Sequence, residues 1–184
     1  TLQTNKSSYT EQQVSQLEQQ YSSTKQDLSN FELDILLNVP EKLQEALAEF
    51  EKAIQQEPKN YVKHVAYAQL LEKNDEEKAI DIYKKAIEID PSKQVANFNL
   101  GALYNNIATK YYKQANNMDD FEAATPIQKK GDGYLEKAYP YLKRAHEIDP
   151  NDVATVNALM QIAITLNKMD DYNKYKAKKK ALGY

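Results

Sequence analysis

The sequence predicts an all-α fold, an α-solenoid of antiparallel helix pairs in which one pair is extended into a projecting hairpin. The main observation is a repeated motif: a small residue, a bulky apolar residue four positions later, an alanine three later and a proline five beyond that. The motif ends at Pro58, Pro91 and Pro150, so the intervals are 33 and 59 residues. A repeat of this length indicates stacked helix pairs, which form binding surfaces more often than catalytic pockets.

The composition argues against several classes of protein. Of 184 residues, 41% are hydrophobic, which is enough for the core of one domain or one short repeat array. A net charge of −3 argues against a general nucleic-acid binder. The absence of cysteine excludes disulfides and thiolate metal sites. No apolar run approaches the roughly 18 residues that a membrane-spanning helix needs.

The N-terminal part differs from the rest in composition. Residues 1–26 form a polar segment rich in Gln, Ser and Thr, and residues 27–184 form the repeat array. Apolar residues at helical spacing predict a helix over about residues 9–37, part of which would cap the array; they are Val14, Leu17, Tyr21, Leu28, Phe31 and Ile35. The alternative is a disordered tail up to about residue 22. Because the chain begins at Thr1, a cleaved signal peptide, a lipid-anchor leader or trimming would each fit.

Helix pairs follow along the rest of the chain. Pro40 suits the first turn of a helix, because its missing N–H is no loss there. Asn74-Asp75 predicts a tight turn and an N-cap, and Asn167-Lys168 predicts the last turn, before a helix over about residues 170–182. Each helix carries one apolar stripe: Leu43, Ala46, Leu47, Phe50, Ala53 and Ile54; Tyr61, Val65, Ala68 and Leu71; Ala79, Ile80, Tyr83, Ala86 and Ile87; Val95, Phe98, Leu100 and Tyr104; Val153, Val156, Leu159, Met160 and Ala163.

These residues resemble the tetratricopeptide repeat (TPR), whose helix A carries a Leu-Gly pair and a Tyr, and whose helix B carries Ala, a bulky residue and Ala before Pro. The run Leu100-Gly101-Ala102-Leu103-Tyr104 matches helix A without a departure. The resemblance implies repeats over about residues 27–58, 60–91, 94–150 and 153–184. Paired helices approach closely only where small residues face each other; the expected contacts are Gly101, Ala68, Ala79 and Ala138.

The third repeat contains an insertion of about 25 residues, over about residues 109–133. Gly101 and Ala138 are 37 residues apart, where the repeat consensus needs about 12. Helical spacing on both sides of a Thr125-Pro126 break predicts two helices prolonged into a hairpin, and a flexible loop is the alternative. Three residues that disfavour helix would weaken or kink the returning arm; they are Gly131, Gly133 and Pro140.

No set of side chains predicts an enzyme, a cofactor site or a metal site. Histidine is limited to His64 and His146, and neither has a second His or a Cys at ligand spacing. Both are expected to be partly exposed packing residues rather than catalytic bases. Five lysines within residues 174–180 are expected to be a solvated helix end. The alternative for these lysines is a minor contact with an anionic surface.

The resemblance implies a non-enzymatic protein–protein interaction module that binds a peptide or partner protein in a concave groove lined by helix A. The lining residues carried over from the repeat are apolar or amide-bearing: Val62, Val65, Ala66 and Gln69; Val95, Phe98, Asn99, Ala102 and Asn105; Asn157, Ala158 and Gln161. Such amides suit an extended peptide, because Asn and Gln both donate and accept hydrogen bonds. The alternative is that the chain's own N-terminal helix fills the groove.

A second functional hypothesis concerns the insertion. The chain resembles uncharacterised exported TPR proteins of Gram-negative bacteria that have a long insertion in one repeat. This resemblance implies a periplasmic or outer-membrane-associated protein, with a cytoplasmic location as the alternative. Six of the fourteen tyrosines lie between Tyr104 and Tyr141, and exposed tyrosine is favoured at interfaces. The chain would then be a structural subunit of an envelope complex that contacts its partners through the hairpin. The alternative is that the tyrosines only join the two arms of the hairpin. Partner identity and oligomeric state stay open.

Overall fold

A computed structural model describes residues 40–184, with side chains from Leu43 onwards, and in that range the chain forms seven helices and no strand. They are α1 Pro40–Gln56, α2 Tyr61–Leu71, α3 Glu76–Ile89, α4 Gln94–Asn116, α5 Phe121–Ile148, α6 Val153–Thr165 and α7 Met169–Ala181. The described residues fall into two compact units that divide within α1, after Glu49. Three complete helix pairs, α2/α3, α4/α5 and α6/α7, lie in the second unit, residues 50–184.

The ends of the helices follow from local sequence chemistry. The helices that precede Pro58, Pro91 and Pro150 each end two residues before the proline, because proline cannot continue the ladder of backbone hydrogen bonds. The predicted N-cap is confirmed, since the Asp75 Oδ1 atom accepts a hydrogen bond of 2.9 Å from the Lys78 amide. Asn167 has a positive φ of 56°, which forms the turn between α6 and α7.

The repeated motif lies in the core, which confirms the predicted all-α solenoid of helix pairs. Its two small positions and its bulky position are all fully buried in α3 and α5: Ala79, Tyr83 and Ala86; Ala138, Leu142 and Ala145. Gly101 of α4 packs directly on α5. A Cβ atom placed on Gly101 would lie 2.6 Å from the Leu142 Cγ atom and 3.3 Å from the Ala138 carbonyl oxygen. The absence of a side chain at Gly101 therefore sets how closely α4 and α5 approach.

Helices α4 and α5 form the predicted hairpin, with 23 and 28 residues against 11 to 14 in the other helices of the three pairs. The alternative of a flexible loop is therefore wrong. The predicted break at Thr125-Pro126 is also wrong, because the turn lies at residues 117–120 and α5 begins at Phe121. The reason is the Asp120 side chain, whose Oδ1 atom accepts hydrogen bonds from the Glu122 and Ala123 amides, at 2.9 and 3.2 Å, and starts the helix.

The residues expected to weaken the returning arm do not interrupt α5, which includes Pro126, Gly131, Gly133 and Pro140. Tertiary packing outweighs their low helix propensity, since one side of α5 is buried against its neighbours. At the other end of the described chain, α1 begins at Pro40 as predicted. The polar segment over residues 1–26, the predicted helix over residues 9–37 and the alternative of a self-filled groove lie outside the described residues.

Candidate functional site

Hydrogen bonds between first turns align α2, α4 and α6 side by side. The Ala96 amide in the first turn of α4 donates to the Tyr61 hydroxyl at the start of α2, at 2.9 Å. The Gln94 side-chain amide, also in α4, donates to Asp152 Oδ2 and Thr155 Oγ1 at the start of α6, at 3.0 and 3.2 Å. The starts of the three helices therefore lie close together, at the same end of the unit. These helices form the row on which the predicted binding residues lie.

The structure exposes these residues to different degrees. Four are exposed: Val62, Gln69, Val95 and Gln161. Seven are half-buried: Ala66, Phe98, Asn99, Ala102, Asn105, Asn157 and Ala158. Val65 alone is buried, at 8% exposure, so it belongs to the core rather than to an open surface. Val62, at 71% exposure, and Val95, at 46%, present apolar side chains to solvent on neighbouring helices.

Asn99 has a buried neighbour that sequence reasoning did not reveal. Tyr83 of α3 is fully buried and donates a hydrogen bond of 2.5 Å to the Glu72 carboxylate. Asn99 lies close to the Tyr83 side chain. Burial is the main cause that raises the pKa of Tyr83 far above its usual range, and the hydrogen bond to Glu72 is the second, whereas the Asn99 amide lowers it. Asn99 therefore faces a buried side chain of α3.

Two of the predicted residues, Asn105 and Gln161, meet in one open cleft of about 200 Å³ between the hairpin and α6. We call it the amide cleft. Its remaining lining residues are Thr109, Tyr112 and Asn116 of α4, Gln128 and Leu135 of α5, and Ile162 and Thr165 of α6. None of these side chains carries a formal charge. The cleft exists because α4 and α5 continue past the end of α6 and form one wall beside it.

The amides of the amide cleft have no side-chain partner in the part of the chain that the structure describes. Among the described residues, no side-chain hydrogen bond is formed by its four amides: Asn105, Asn116, Gln128 and Gln161. The hydroxyls of Thr109 and Thr165 donate their protons to the carbonyls four residues earlier, at 2.9 and 3.0 Å. Each threonine hydroxyl can therefore only accept a further hydrogen bond, whereas each amide can donate and accept.

The Tyr112 side chain forms a rigid part of the wall. Its hydroxyl donates a hydrogen bond of 2.6 Å to the Asp132 carboxylate. Burial is the main cause that raises the pKa of Tyr112 well above its usual range, and the hydrogen bond to the Asp132 carboxylate is the second. The phenol therefore stays protonated. The ring lies against Gly131, where an added Cβ atom would be 2.9 Å from the Tyr112 Cε1 atom. Gly131, counted among the disfavoured helix residues, leaves the space that this ring occupies.

Sequence reasoning identified only two of the nine residues of the amide cleft. A signal for the α4 residues was present, because Phe98, Ala102 and Asn105 continue at spacings of four and three to Thr109, Tyr112 and Asn116. The face predicted for binding thus extends along the prolonged part of α4. No comparable signal exists for Gln128 and Leu135, which reach the cleft only because α5 folds back along α4.

The histidines do not form a catalytic site. His64 was expected to be partly exposed, but it is buried at 4% exposure, and its Nδ1 atom lies 2.9 Å from the Asn60 carbonyl oxygen. His146 is half-buried and packs edge-on against Tyr175, with 5.5 Å between ring centroids. Within residues 40–184, no group of carboxylates and histidines could hold a metal ion, and no helix is long and apolar enough to cross a membrane.

The hairpin tyrosines pack mainly on one another. Ring centroids are 5.4 Å apart between Tyr111 and Tyr134, 6.2 Å between Tyr104 and Tyr134, and 6.0 Å between Tyr104 and Tyr141. These contacts join α4 to α5, as in the alternative that the tyrosines hold the two arms together. At the tip of the hairpin, in contrast, Phe121 is 81% exposed and lies close in sequence to Met118, at 36%.

The arrangement of helices is similar to that of a solved TPR protein. The crystal structure of TTC0263, a thermophilic TPR protein in Thermus thermophilus, aligns with a TM-score of 0.54 at 21% identity, over 82% of this chain and 71% of that chain. This chain has the TPR fold. In TPR terms, α2, α4 and α6 are A helices, and α3, α5 and α7 are the B helices that follow them. No known protein-family profile matches the sequence, and no curated protein does.

Two further solved structures align less closely. PilW, a widely conserved type IV pilus biogenesis factor, is 20% identical over 84% of this chain and 77% of its own, with a TM-score of 0.36. MamA 41-end from Desulfovibrio magneticus RS-1 is 18% identical over 84% and 90%, with a TM-score of 0.38. At these TM-scores neither structure adds to the argument for the TPR fold, which rests on TTC0263 and on the helix geometry.

Proposed function

We propose that this TPR protein is a non-enzymatic interaction module that binds an extended peptide segment of a partner along the A helices and into the amide cleft. The observation that carries the proposal is the set of four side-chain amides around one uncharged cleft, none of which has a hydrogen-bond partner within residues 43–184. An extended peptide leaves its backbone N–H and C=O groups unpaired, and Asn and Gln side chains can bond both kinds of group.

The apolar part of the face supports the same proposal. Val62 and Val95 are exposed on neighbouring A helices, where they would contact apolar side chains of the bound segment. The absence of charge in the cleft favours an internal segment over a chain end, since a terminal carboxylate would leave water without gaining an opposite charge. A chaperone-type carboxylate clamp is not expected for the same reason, and of its positions only Asn99 matches.

Peptide selection followed by point substitution tests the proposal. Binders would be selected on the wild-type chain from a random peptide library, and their affinities measured again with Asn105→Ala/Gln161→Ala. Each lost hydrogen bond is worth about 0.5–1.5 kcal/mol, so the double variant should weaken binding about tenfold. Asn106→Ala is the matched control, because Asn106 is an exposed amide of α4 that does not line the cleft.

A wall variant gives an independent measurement at the same site. Gly131→Ala should displace the Tyr112 ring and weaken the same peptides without removing any amide. Circular dichroism would first establish that each variant is as helical as the wild type. Peptides that bind both cleft variants with wild-type affinity would contradict the proposal, as would peptides that compete only for the hairpin tip.

The alternative function, a structural subunit of an envelope complex that contacts partners through the hairpin, has one observation in its favour. Phe121 is 81% exposed at the tip, and a bare aromatic side chain is a frequent anchor at protein interfaces. The test is affinity capture from source cells with wild-type protein and with Phe121→Ser, using Ile164→Ser as a control for another exposed apolar residue. Fractionation of the same cells tests the periplasmic or outer-membrane location, and equal capture by both variants would exclude the tip as the contact.

A further inference from the structure

The tip of the hairpin combines an exposed aromatic ring with negative charge. Residues 114–128 contain three acidic residues and no basic residue: Asp119, Asp120 and Glu122. Phe121 stands among them with 81% of its side chain exposed. No side chain of the described residues covers this ring. An exposed aromatic ring among charged residues is typical of a site that binds another surface.

A cleft with the opposite charge lies along α7. Its volume is about 560 Å³, and its lining is Met160, Tyr172, Asn173, Lys176, Ala177, Lys179, Lys180 and Tyr184. We call it the lysine cleft. Lys176, Lys179 and Lys180 form no ion pair within the described residues, and residues 172–184 contain no acidic residue. Lys176 and Lys180 are four residues apart on one helix face, where like charges repel and an anionic group would be stabilising.

The two surfaces lie too far apart to meet within one molecule. At the start of α7, Lys168 pairs with Glu136 in the middle of α5, at 3.1 Å. Towards the end of α7, Lys178 bonds Asn151, which follows the C-terminal end of α5, at 3.0 Å. The lysine cleft is therefore beside the C-terminal end of α5, whereas Phe121 is its first residue. Since α5 has 28 residues, the separation is roughly 40 Å at 1.5 Å per residue.

We propose that the acidic hairpin tip of one copy of this chain docks in the lysine cleft of a second copy. Phe121 enters between Met160 and Tyr172, and the carboxylates of the tip face Lys176, Lys179 and Lys180. The contact joins two different surfaces, so two copies can form it twice about a two-fold axis, or form it once, head to tail, and leave one tip and one cleft free. The proposed association rests on the alternative function, in which the hairpin contacts a partner, and it names a second copy of the chain as that partner. It does not depend on peptide binding at the amide cleft.

Sedimentation velocity over a range of concentrations tests the association. A contact made by one tip is small, so the dissociation constant should be about micromolar or weaker. Dimers should form as the concentration rises, with larger species only for the head-to-tail arrangement, and added salt should weaken the association. Phe121→Ser and the neutral variant Lys176→Gln/Lys179→Gln/Lys180→Gln should each raise the dissociation constant at least about tenfold. Lys59→Gln/Lys73→Gln/Lys85→Gln, at exposed positions outside the hairpin and outside the lysine cleft, is the charge-matched control and should leave it unchanged.

Mixing the two defective variants provides the decisive measurement. Phe121→Ser keeps an intact cleft and the lysine variant keeps an intact tip, so their mixture should form a one-to-one dimer and nothing larger. A wild-type chain that stays monomeric up to about millimolar concentration, or a mixture that does not associate, would overturn the inference. If the chain is monomeric while capture of another protein still requires Phe121, the inference fails and the hairpin alternative stands.

Discussion

Two glycine-to-alanine substitutions in the same hairpin should change stability in opposite directions. Gly101→Ala places a methyl group 2.6 Å from the Leu142 Cγ atom and 2.9 Å from its Cδ2 atom, in a region where Leu142 is fully buried. Gly133→Ala places the same methyl group in α5, with no atom within 4 Å. Both changes raise helix propensity equally, so the difference between them measures the contact alone.

The expected magnitudes follow from these distances. Replacing glycine by alanine inside a helix contributes about 1 kcal/mol of stability, and this is the whole effect expected for Gly133→Ala. Overpacking a core costs about 1–3 kcal/mol. The upper part of that range applies at Gly101, because the closest atom is the branch point of Leu142 rather than the end of a flexible chain. Gly101→Ala should therefore destabilise the protein by about 1–2 kcal/mol, the overpacking cost less the helix gain.

Urea unfolding monitored by far-UV circular dichroism measures both values, and thermal unfolding should show shifts of about 2–4 °C per kcal/mol. A double-mutant cycle identifies the cause: in the Gly101→Ala background, Leu142→Ala should cost less than it does in the wild type, because it also removes the clash. Two results would show that Gly101 does not set the spacing between α4 and α5. One is a Gly101→Ala variant as stabilised as Gly133→Ala, and the other is additive effects of Gly101→Ala and Leu142→Ala on the free energy of unfolding.

Three further predictions concern the links between helices. Tyr61→Phe removes the acceptor for the Ala96 amide, whose residue is fully buried, so urea unfolding should show a loss of about 1–3 kcal/mol. Asp152→Ala removes the N-cap of α6, where the carboxylate accepts from the Thr155 amide at 3.0 Å; the same assay should show about 1–2 kcal/mol lost, partly restored by Asn. Burial is the main cause that lowers the pKa of His146 below its ordinary 6.5, and the charges of Lys174 and Lys178 lower it further. Because the unfolded state then binds the proton more tightly, wild-type stability should fall as the pH drops through 6.5. His146→Phe should lose less stability over that range, and thermal scans with equal pH dependence for both proteins would contradict this.

The repeat and the helix ends could be predicted because local chemistry decides them. The motif residues in α3 and α5 are buried as expected, the Asp75 cap forms, and Gly101 stands where two helices meet. The prediction failed where two local signals competed. Thr125-Pro126 indicates a break, but Asp120 caps the helix earlier and Pro126 is accommodated within α5. Similarly, Gly131 indicates a weak helix, yet its missing side chain accommodates the Tyr112 ring.

The binding face was predictable only in part. A helix periodicity shows which residues share a face, and the TPR resemblance implied that Asn105 and Gln161 line the groove. The periodicity does not show which of them have other partners. Asn99 lies close to Tyr83 of α3, and Val65 is buried by neighbouring helices. Gln128 reaches the amide cleft from α5, because α5 folds back along α4.

The sequence by itself determined that this chain is a stack of helix pairs with one prolonged pair, because the spacing of small and bulky residues and the positions of Pro and Asp act within one helix or one turn. Only the tertiary structure decided what the prolonged pair does. By projecting past α6 it forms the wall of an uncharged cleft, and it separates an acidic, aromatic tip from a lysine-lined cleft by the length of α5. Both features depend on which helices lie beside one another, and a pattern along one helix carries no information about its neighbours.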